Sequence, residues 1–455
     1  MASLLQSRTI LKQLTNTVGY NTILFITTRF VLFYLLGRNL SPAEYGAYNL
    51  MASVISLGIY FLGLGLCHYV IKETPGNSTQ HGLKLFKSTV SFELLTAGLV
   101  IAVLVSTGGY TVLLEKLKVT PYADLFYLAL LLMLEELFAI EIGRYLYANK
   151  KIEKSNFFDF FKKGLWVYLL GAAWLIGIKP TLLLLLVFRI ISVAFSIILA
   201  LKSIQFKIFS GPRFDFNDVK LAFVFGFPLF VSSLSDQIVT SVDRFILSFY
   251  HSPAQVGIYA FADGLVNMAY GLTGAVMISV MFPYMAAEHN NKIFQKRDLF
   301  MTYMFKYSLF LTGAALAGLL LTAKPMLTFL ARKEYIEGLP LMPVLALGTL
   351  LYALSYPANY LLILENKTKQ VMLSRLIGMG VYVGLNFLLI PRYAGFGAAV
   401  ASLVSYAVMG LMLYGLSQGW RHVDFRKLFT FKMEKELLLK LIHEIKRSKG
   451  NPSSP

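Results

Sequence analysis

The sequence predicts an all-α polytopic membrane protein, with about twelve spanning helices arranged as two six-helix lobes. Three observations lead there. The chain is 56% hydrophobic and only 15% charged, with a mean hydropathy of +0.63, whereas soluble domains carry about a quarter charged residues. Apolar runs of about twenty residues, enough to cross a roughly 30 Å hydrocarbon core as a helix, recur along the whole chain. One short stretch is also written twice: SPAEYGAY at Ser41–Tyr48 and SPAQVGIY at Ser252–Tyr259, a little under half the chain apart.

The crossings can be placed in order, at roughly 17–37, 44–69, 84–107, 122–145, 160–178, 181–203, 218–249, 254–285, 300–323, 339–364, 369–390 and 395–417. Leu182–Leu201, LLLLLVFRIISVAFSIILAL, shows the type. Lipid offers the backbone no hydrogen-bond partner, so only helices or a closed barrel can cross. Barrel strands are short and alternate apolar with polar residues, and these runs do neither. The connections are too short for a separate soluble domain. The first apolar run begins too late and is too long for a cleavable signal, so the first helix is expected to be retained. Cys67 is the single cysteine and reads as a small apolar filler. The six histidines show no zinc-type spacing, and no metal is expected.

Lysine and arginine set the orientation. One side collects the N-terminus, the tail and the loops with Lys72, Lys84 and Lys87; Lys150, Lys151, Lys154, Lys162 and Lys163; Lys202, Lys207, Arg213 and Lys220; Lys292, Lys296 and Arg297; and Lys367, Lys369 and Arg375. The other side holds few, among them Arg38, Lys116, Lys118, Lys179 and Arg392. Both termini are therefore expected in the cytoplasm. The +18 net charge is explained by topology and anionic lipid headgroups, without nucleic acid. In the basic tail, Leu437, Leu438, Leu441, Ile442 and Ile445 recur at helical spacing. They predict an amphipathic helix, lying either on the inner leaflet or against the protein's own inner face.

The repeat gives the domain organisation. Each copy follows one apolar helix and opens another: Ser41 and Ser252 can cap, Pro42 and Pro253 suit a first turn, and Gly46 and Gly257 allow close helix approach. A second echo, YLYANKKIEK (Tyr145–Lys154) and YLLILENKTK (Tyr360–Lys369), closes the fourth span of each half at a similar offset. The expected division is an N-lobe at 1–209, a linker at 210–217, a C-lobe at 218–420 and the cytoplasmic tail at 421–455. Six crossings per half make the halves parallel, related by an axis along the membrane normal, with a cleft between them that can open to alternate sides.

Here the residues also carry a family resemblance. GRNLSPAEYGAYNLMAS (Gly37–Ser53), SVDRFILSFYHSPAQVGIYAFAD (Ser241–Asp263) and the stretch Leu361–Val408, with NFLLIPRYAGFGAA at its centre, resemble Wzx-type polysaccharide flippases of the multidrug/oligosaccharidyl-lipid/polysaccharide (MOP) exporter superfamily. The motifs are individually loose, and their order and spacing carry the likeness. The resemblance implies a V-shaped molecule with a central cavity. It implies export of undecaprenyl-pyrophosphate-linked oligosaccharide units, such as O-antigen precursors, across the bacterial inner membrane, alongside membrane lipids and glycan polymerase machinery.

Ionisable groups inside spans mark function or a structural pair. They are Arg29 in the first span, Glu135 and Glu136 in the fourth, Arg189 in the sixth, Asp236, Asp243 and Arg244 in the seventh, and Asp263 in the eighth, with Glu93 nearer the inner surface. In FVSSLSDQIVTSVDRF, Ser232, Asp236, Thr240 and Asp243 recur three or four apart and give the seventh helix one polar face. A guanidinium grips phosphate oxygens in a planar fork and stays charged in a dry cavity. Arg29 and Arg244, on the first helix of each half, together with Arg189, are therefore the candidate pyrophosphate ligands. The alternative is that Arg244 pairs structurally with Asp263, and Arg189 with Glu135 or Glu136.

No Walker-type phosphate loop is present, so the energy source is expected to be an ion gradient, H+ or Na+, with no cofactor. Asp236, Glu135, Glu136, Asp243 and Asp263 are the coupling candidates. Tyr48, Tyr259, Phe261, Tyr356 and Tyr360 could stack on sugar, though membrane aromatics mostly pack or anchor. The competing functions are a cation-coupled drug antiporter of the MATE branch, a lipid II flippase with extra C-terminal spans, and a membrane-embedded glycan polymerase. An antiporter favours acidic cavities over three intramembrane arginines. A polymerase needs a large outward loop or a cytoplasmic carboxylate site, and neither pattern is visible, so no enzyme activity is expected.

Overall fold

In a computed structural model, residues 27–74, 79–149, 151–203, 215–276 and 281–430 are described, and every regular element among them is helical. The linker residues 210–214 and the tail's amphipathic segment from 431 onward lie outside the described residues. A π-helical turn at Thr27–Val31 leads into α1 (Leu32–Asn39). Next come α2 (Pro42–Gly63), α3 (Cys67–Glu73), α4 (Thr79–Ser106), α5 (Gly109–Lys116), α6 (Ala123–Ala148), α7 (Ile152–Leu175) and α8 (Leu182–Ser203). The second half of the chain supplies α9 (Phe216–Val239), α10 (Val242–Tyr250), α11 (Pro253–Val276), α12 (Phe282–Asn290), α13 (Phe294–Tyr307), α14 (Gly313–Leu330), α15 (Leu341–Leu364) and α16 (Thr368–Ser417).

Seven helices among the described residues are long and apolar enough to cross a membrane. One is the continuous run through α13 and α14, 37 residues from Phe294 to Leu330. Another, α16, is 50 residues long, or about 75 Å, far more than one crossing needs. Its backbone breaks at Ala394 (φ 46°, ψ −131°), three residues after Pro391. It is therefore two helices meeting where the sequence places a turn between 390 and 395. Helices α6 and α7 also have spanning length and carry charged residues within them, Glu135, Glu136 and Glu141 on α6 among them.

Two expected spans are broken rather than continuous. The second divides at Leu64 and Gly65, both left-handed (φ 46° and 72°), between α2 and α3. A side chain is costly in that conformation, which suits glycine at 65. There is also no room for one, since a Cβ on Gly65 would come within 2.7 Å of the Gly226 carbonyl oxygen. The seventh span divides at Thr240–Ser241, between α9 and α10.

The chain groups into two compact units. One comprises Met1–Met268, Ala317–Thr349 and Arg375–Tyr406. Its core includes an aromatic cluster: Phe33 meets Phe261 edge-on at 5.1 Å, and Tyr335 packs on Phe261 at 4.7 Å. Arg38 donates to the carbonyls of Thr328 and Phe329, both at 2.9 Å. That places a cation at the C-terminal end of α14, where the helix dipole favours one. The other unit comprises Ala269–Leu316, Leu350–Ser374 and Ala407–Pro455. There Tyr414 stacks on Trp420 at 4.2 Å. Arg297, counted above among the loop charges, is 5% exposed and bonds to Asp298, with Glu365 at 3.6 Å. Burial of that guanidinium depends on these partners.

Candidate functional site

Helix α2 begins with a capping box: the Ser41 hydroxyl accepts from the Glu44 N–H, and the Glu44 carboxylate accepts from the Ser41 N–H at 2.7 Å. From that fixed start, Tyr45, Tyr48, Ser53 and Ser56 present polar groups along the helix, and side chains from the rest of the first unit meet them. Arg29, in the π-helical turn, is exposed. Both Arg29 and Arg244 lie within electrostatic reach of Tyr45.

Arg244, on α10, contacts the Asp263 carboxylate and the Ser53 hydroxyl, each at 3.4 Å. These are long, loose bonds, and the Arg244 Nε is buried without a hydrogen-bond partner. Asp263 also accepts from Asn267 at 2.8 Å. Asp243, 3% exposed, accepts the Arg244 backbone N–H at 2.8 Å and lies within electrostatic reach of Tyr259 and Tyr382. The Arg244 guanidinium is therefore left with a spare donor.

Arg189 is held differently. Its Nε and Nη2 both reach Glu136 Oε1, at 2.8 and 2.6 Å, and Tyr48 on α2 lies within its electrostatic reach. Glu135 turns away from this pair, as neighbours on a helix must, and its buried Oε2 has no partner. On α9, Asp236 pairs with Arg375, which also reaches Ser232 at 3.3 Å, and Gln237 donates to Ser56 on α2 at 2.8 Å.

The model of the family described as "Polysaccharide biosynthesis protein" matches residues 35–337. The chain belongs to that family. A search of curated proteins finds no match. Among solved structures, the lipid II flippase MurJ in an inward closed conformation superposes with a TM-score of 0.73 at 16% identity, over 94% of this chain and 92% of that one. An inward-facing multidrug resistance MATE transporter of the MOP superfamily gives 0.69 at 13% identity, over 88% and 94%. The MATE multidrug transporter DinF-BH gives 0.61 at 16%, over 90% and 96%. This polysaccharide biosynthesis protein is a multi-pass membrane protein with the fold of MOP-superfamily flippases and transporters, as the sequence predicts.

Within this family member the candidate residues separate by environment. Arg244 bonds to Ser53 on α2 and to Asp263, Arg189 is committed to Glu136, and Arg29 makes no ion pair among the described residues. Tyr259 and Phe261, 1% and 0% exposed, are packing residues. Tyr356 and Tyr360 are half-buried members of a stacked row, 5.9 Å apart. Two features escape the sequence. Arg375 reads as a loop charge but lies inside α16. Glu141, buried, and Arg144, half-buried, one helical turn apart on α6, pair at 3.1 Å, and only their spacing signals it.

Proposed function

We propose that this protein moves an undecaprenyl-pyrophosphate-linked oligosaccharide from the cytoplasmic to the outer leaflet of the bacterial inner membrane, by alternating access and driven by an ion gradient. The observation that carries this reading is that Arg29 is exposed and makes no ion pair among the described residues, while Arg244 keeps a buried Nε without a partner, both within electrostatic reach of Tyr45. Two guanidiniums with spare donors suit the two negative charges of a pyrophosphate. A cationic drug would be repelled by the same pair, which argues against the antiporter reading. Both termini are placed in the cytoplasm, membrane lipids surround the helices, and glycan polymerase machinery receives the product. The two six-helix lobes, 1–209 and 218–420, carry the motion, and the protein itself performs no bond chemistry.

The test is deletion of the gene followed by sidedness labelling of lipid-linked oligosaccharide. The expected result is accumulation on the cytoplasmic leaflet and loss of the surface glycan, restored by the wild-type gene and not by Arg29→Ala. Unchanged surface glycan without accumulation would overturn the reading.

A further inference from the structure

The break between α2 and α3 lies beside a partly buried cluster of ionisable groups outside the proposed substrate site. Glu93 on α4 is 0% exposed, and neither of its carboxyl oxygens has a hydrogen-bond partner. It lies within electrostatic reach of Glu141 and Arg144 on α6. Arg144 Nη1 donates to Glu141 Oε1 at 3.1 Å and also to the Cys67 sulfur, at the first residue of α3. A cavity of about 120 Å³ opens here, lined in part by Gly65, Cys67, His68, Glu141, Arg144 and Ser233.

The surrounding charges are few. Helix α2 brings Tyr60 into reach of Arg144, and α3 brings Cys67 and His68. Helix α7 brings Lys162, which pairs with Asp159. Helix α9 lines the cavity with Phe230 and Ser233, and its Asp218 pairs with Lys84 near the start of α4. Glu115 and Lys116 on α5 follow the far end of α4. Two buried carboxyls therefore share one close guanidinium, and ionising both leaves a surplus negative charge away from water.

We propose that Glu93 and Glu141 form a proton-binding site that couples proton movement to the α2–α3 hinge. It rests on the ion-driven transport reading. A Glu93 oxygen takes up the proton and the surplus charge disappears, leaving Arg144 on Glu141 and Cys67. Release of the proton restores a second carboxylate that competes for Arg144 and draws it from Cys67. Cys67 starts α3, and two residues earlier Gly65 lies against the Gly226 backbone of α9. The state of Arg144 is thereby transmitted to a helix crossing. Among the described residues no group of three or more His, Cys, Asp and Glu is placed to hold a metal ion, and the sodium exchange below separates a proton from an alkali cation.

The experiment uses the full chain in liposomes. Infrared difference spectra are recorded as pH is stepped, in H2O and D2O. The expected result is a protonated-carboxyl band that titrates and shifts in D2O. Glu93→Gln should abolish it, Glu93→Asp should retain it at a displaced frequency, and exchanging sodium for potassium should leave it unchanged. A titrating band identical in wild type and Glu93→Gln overturns the proposal, as does a band bleached by sodium at constant pH. Failure of the transport reading is separate: it appears as normal surface glycan in the deletion strain, whatever the spectra show.

Discussion

Gly46 and Gly257 occupy equivalent places in the two octapeptides, and each lies against the other copy's first turn. A Cβ on Gly46 would overlap the Pro253 carbonyl, and one on Gly257 would overlap the Pro42 carbonyl. The repeat is thus a self-complementary helix crossing between α2 and α11. Replacing either glycine by alanine forces backbone apart and should cost about 1–3 kcal/mol, as overpacking does. Gly98, in the middle of α4 with nothing within 4 Å of its Cβ position, is the control. Its alanine variant should be neutral or stabilising by about 0.5–1 kcal/mol. Thermal melting of the purified variants checks both, and equal effects at all three positions would refute the crossing.

The two copies are capped unequally. Ser41 belongs to a reciprocal box with Glu44, whereas Ser252 accepts a single N–H, from Gln255 at 3.3 Å. Ser41→Ala should therefore cost about 1 kcal/mol and Ser252→Ala a smaller amount. Melting of the two variants side by side orders them.

Much of the architecture is legible because membrane spans are written locally, as apolar length and turn residues, and the break in α16 falls where Pro391 announces it. The breaks at Leu64–Gly65 and Thr240–Ser241 are less legible: the first does not interrupt the hydropathy, and the polar residues around the second read as one polar face of a continuous helix. Partner choice is not local at all. Asp236 finds Arg375 139 positions away, and no periodicity on either helix names that partner. Glu93 likewise shows its character only when α6 supplies Glu141 and Arg144. The sequence narrows Arg189 to Glu135 or Glu136, and packing selects Glu136.

That selection has an energetic consequence. Arg189 and Glu136 are about one-fifth exposed or less at their side chains. Removing one member strands the other, at a cost of about 3–5 kcal/mol for a buried pair. Arg189→Ala and Glu136→Ala should each destabilise strongly, and the double variant should recover part of the loss. A double-mutant cycle on melting measures the coupling, and strict additivity would show that the pair contributes nothing.

Acid should loosen the entry to α9. Asp215 caps that helix by accepting the Asn217 N–H, and its hydrogen bond to Lys84 at 2.6 Å holds its carboxyl below the usual carboxylate range. A group depressed in the folded state stabilises above its unfolded pKa, about 3.9 for Asp, and loses that contribution as pH falls through the lower folded value. Below about pH 4, wild type should lose stability that Asp215→Asn already lacks. The difference should shrink in high salt, since the pair is exposed. Melting as a function of pH and salt tests it.

Arg29 and Arg244 should separate binding from stability. Arg29 is exposed and makes no ion pair among the described residues, so Arg29→Ala should leave melting within about 0.5 kcal/mol of wild type, as surface changes do. If it meets a phosphate, its loss removes a charge-assisted bond of about 1.5–3 kcal/mol, roughly tenfold or more in affinity. Arg244→Ala also leaves Asp263 without its cation, so it should lower both stability and transport. Arg244→Lys keeps the charge but not the planar fork, and should restore stability better than transport. Surface glycan at matched expression, set beside melting of the purified variants, decides the assignment. Full transport in Arg29→Ala would remove that residue from the site.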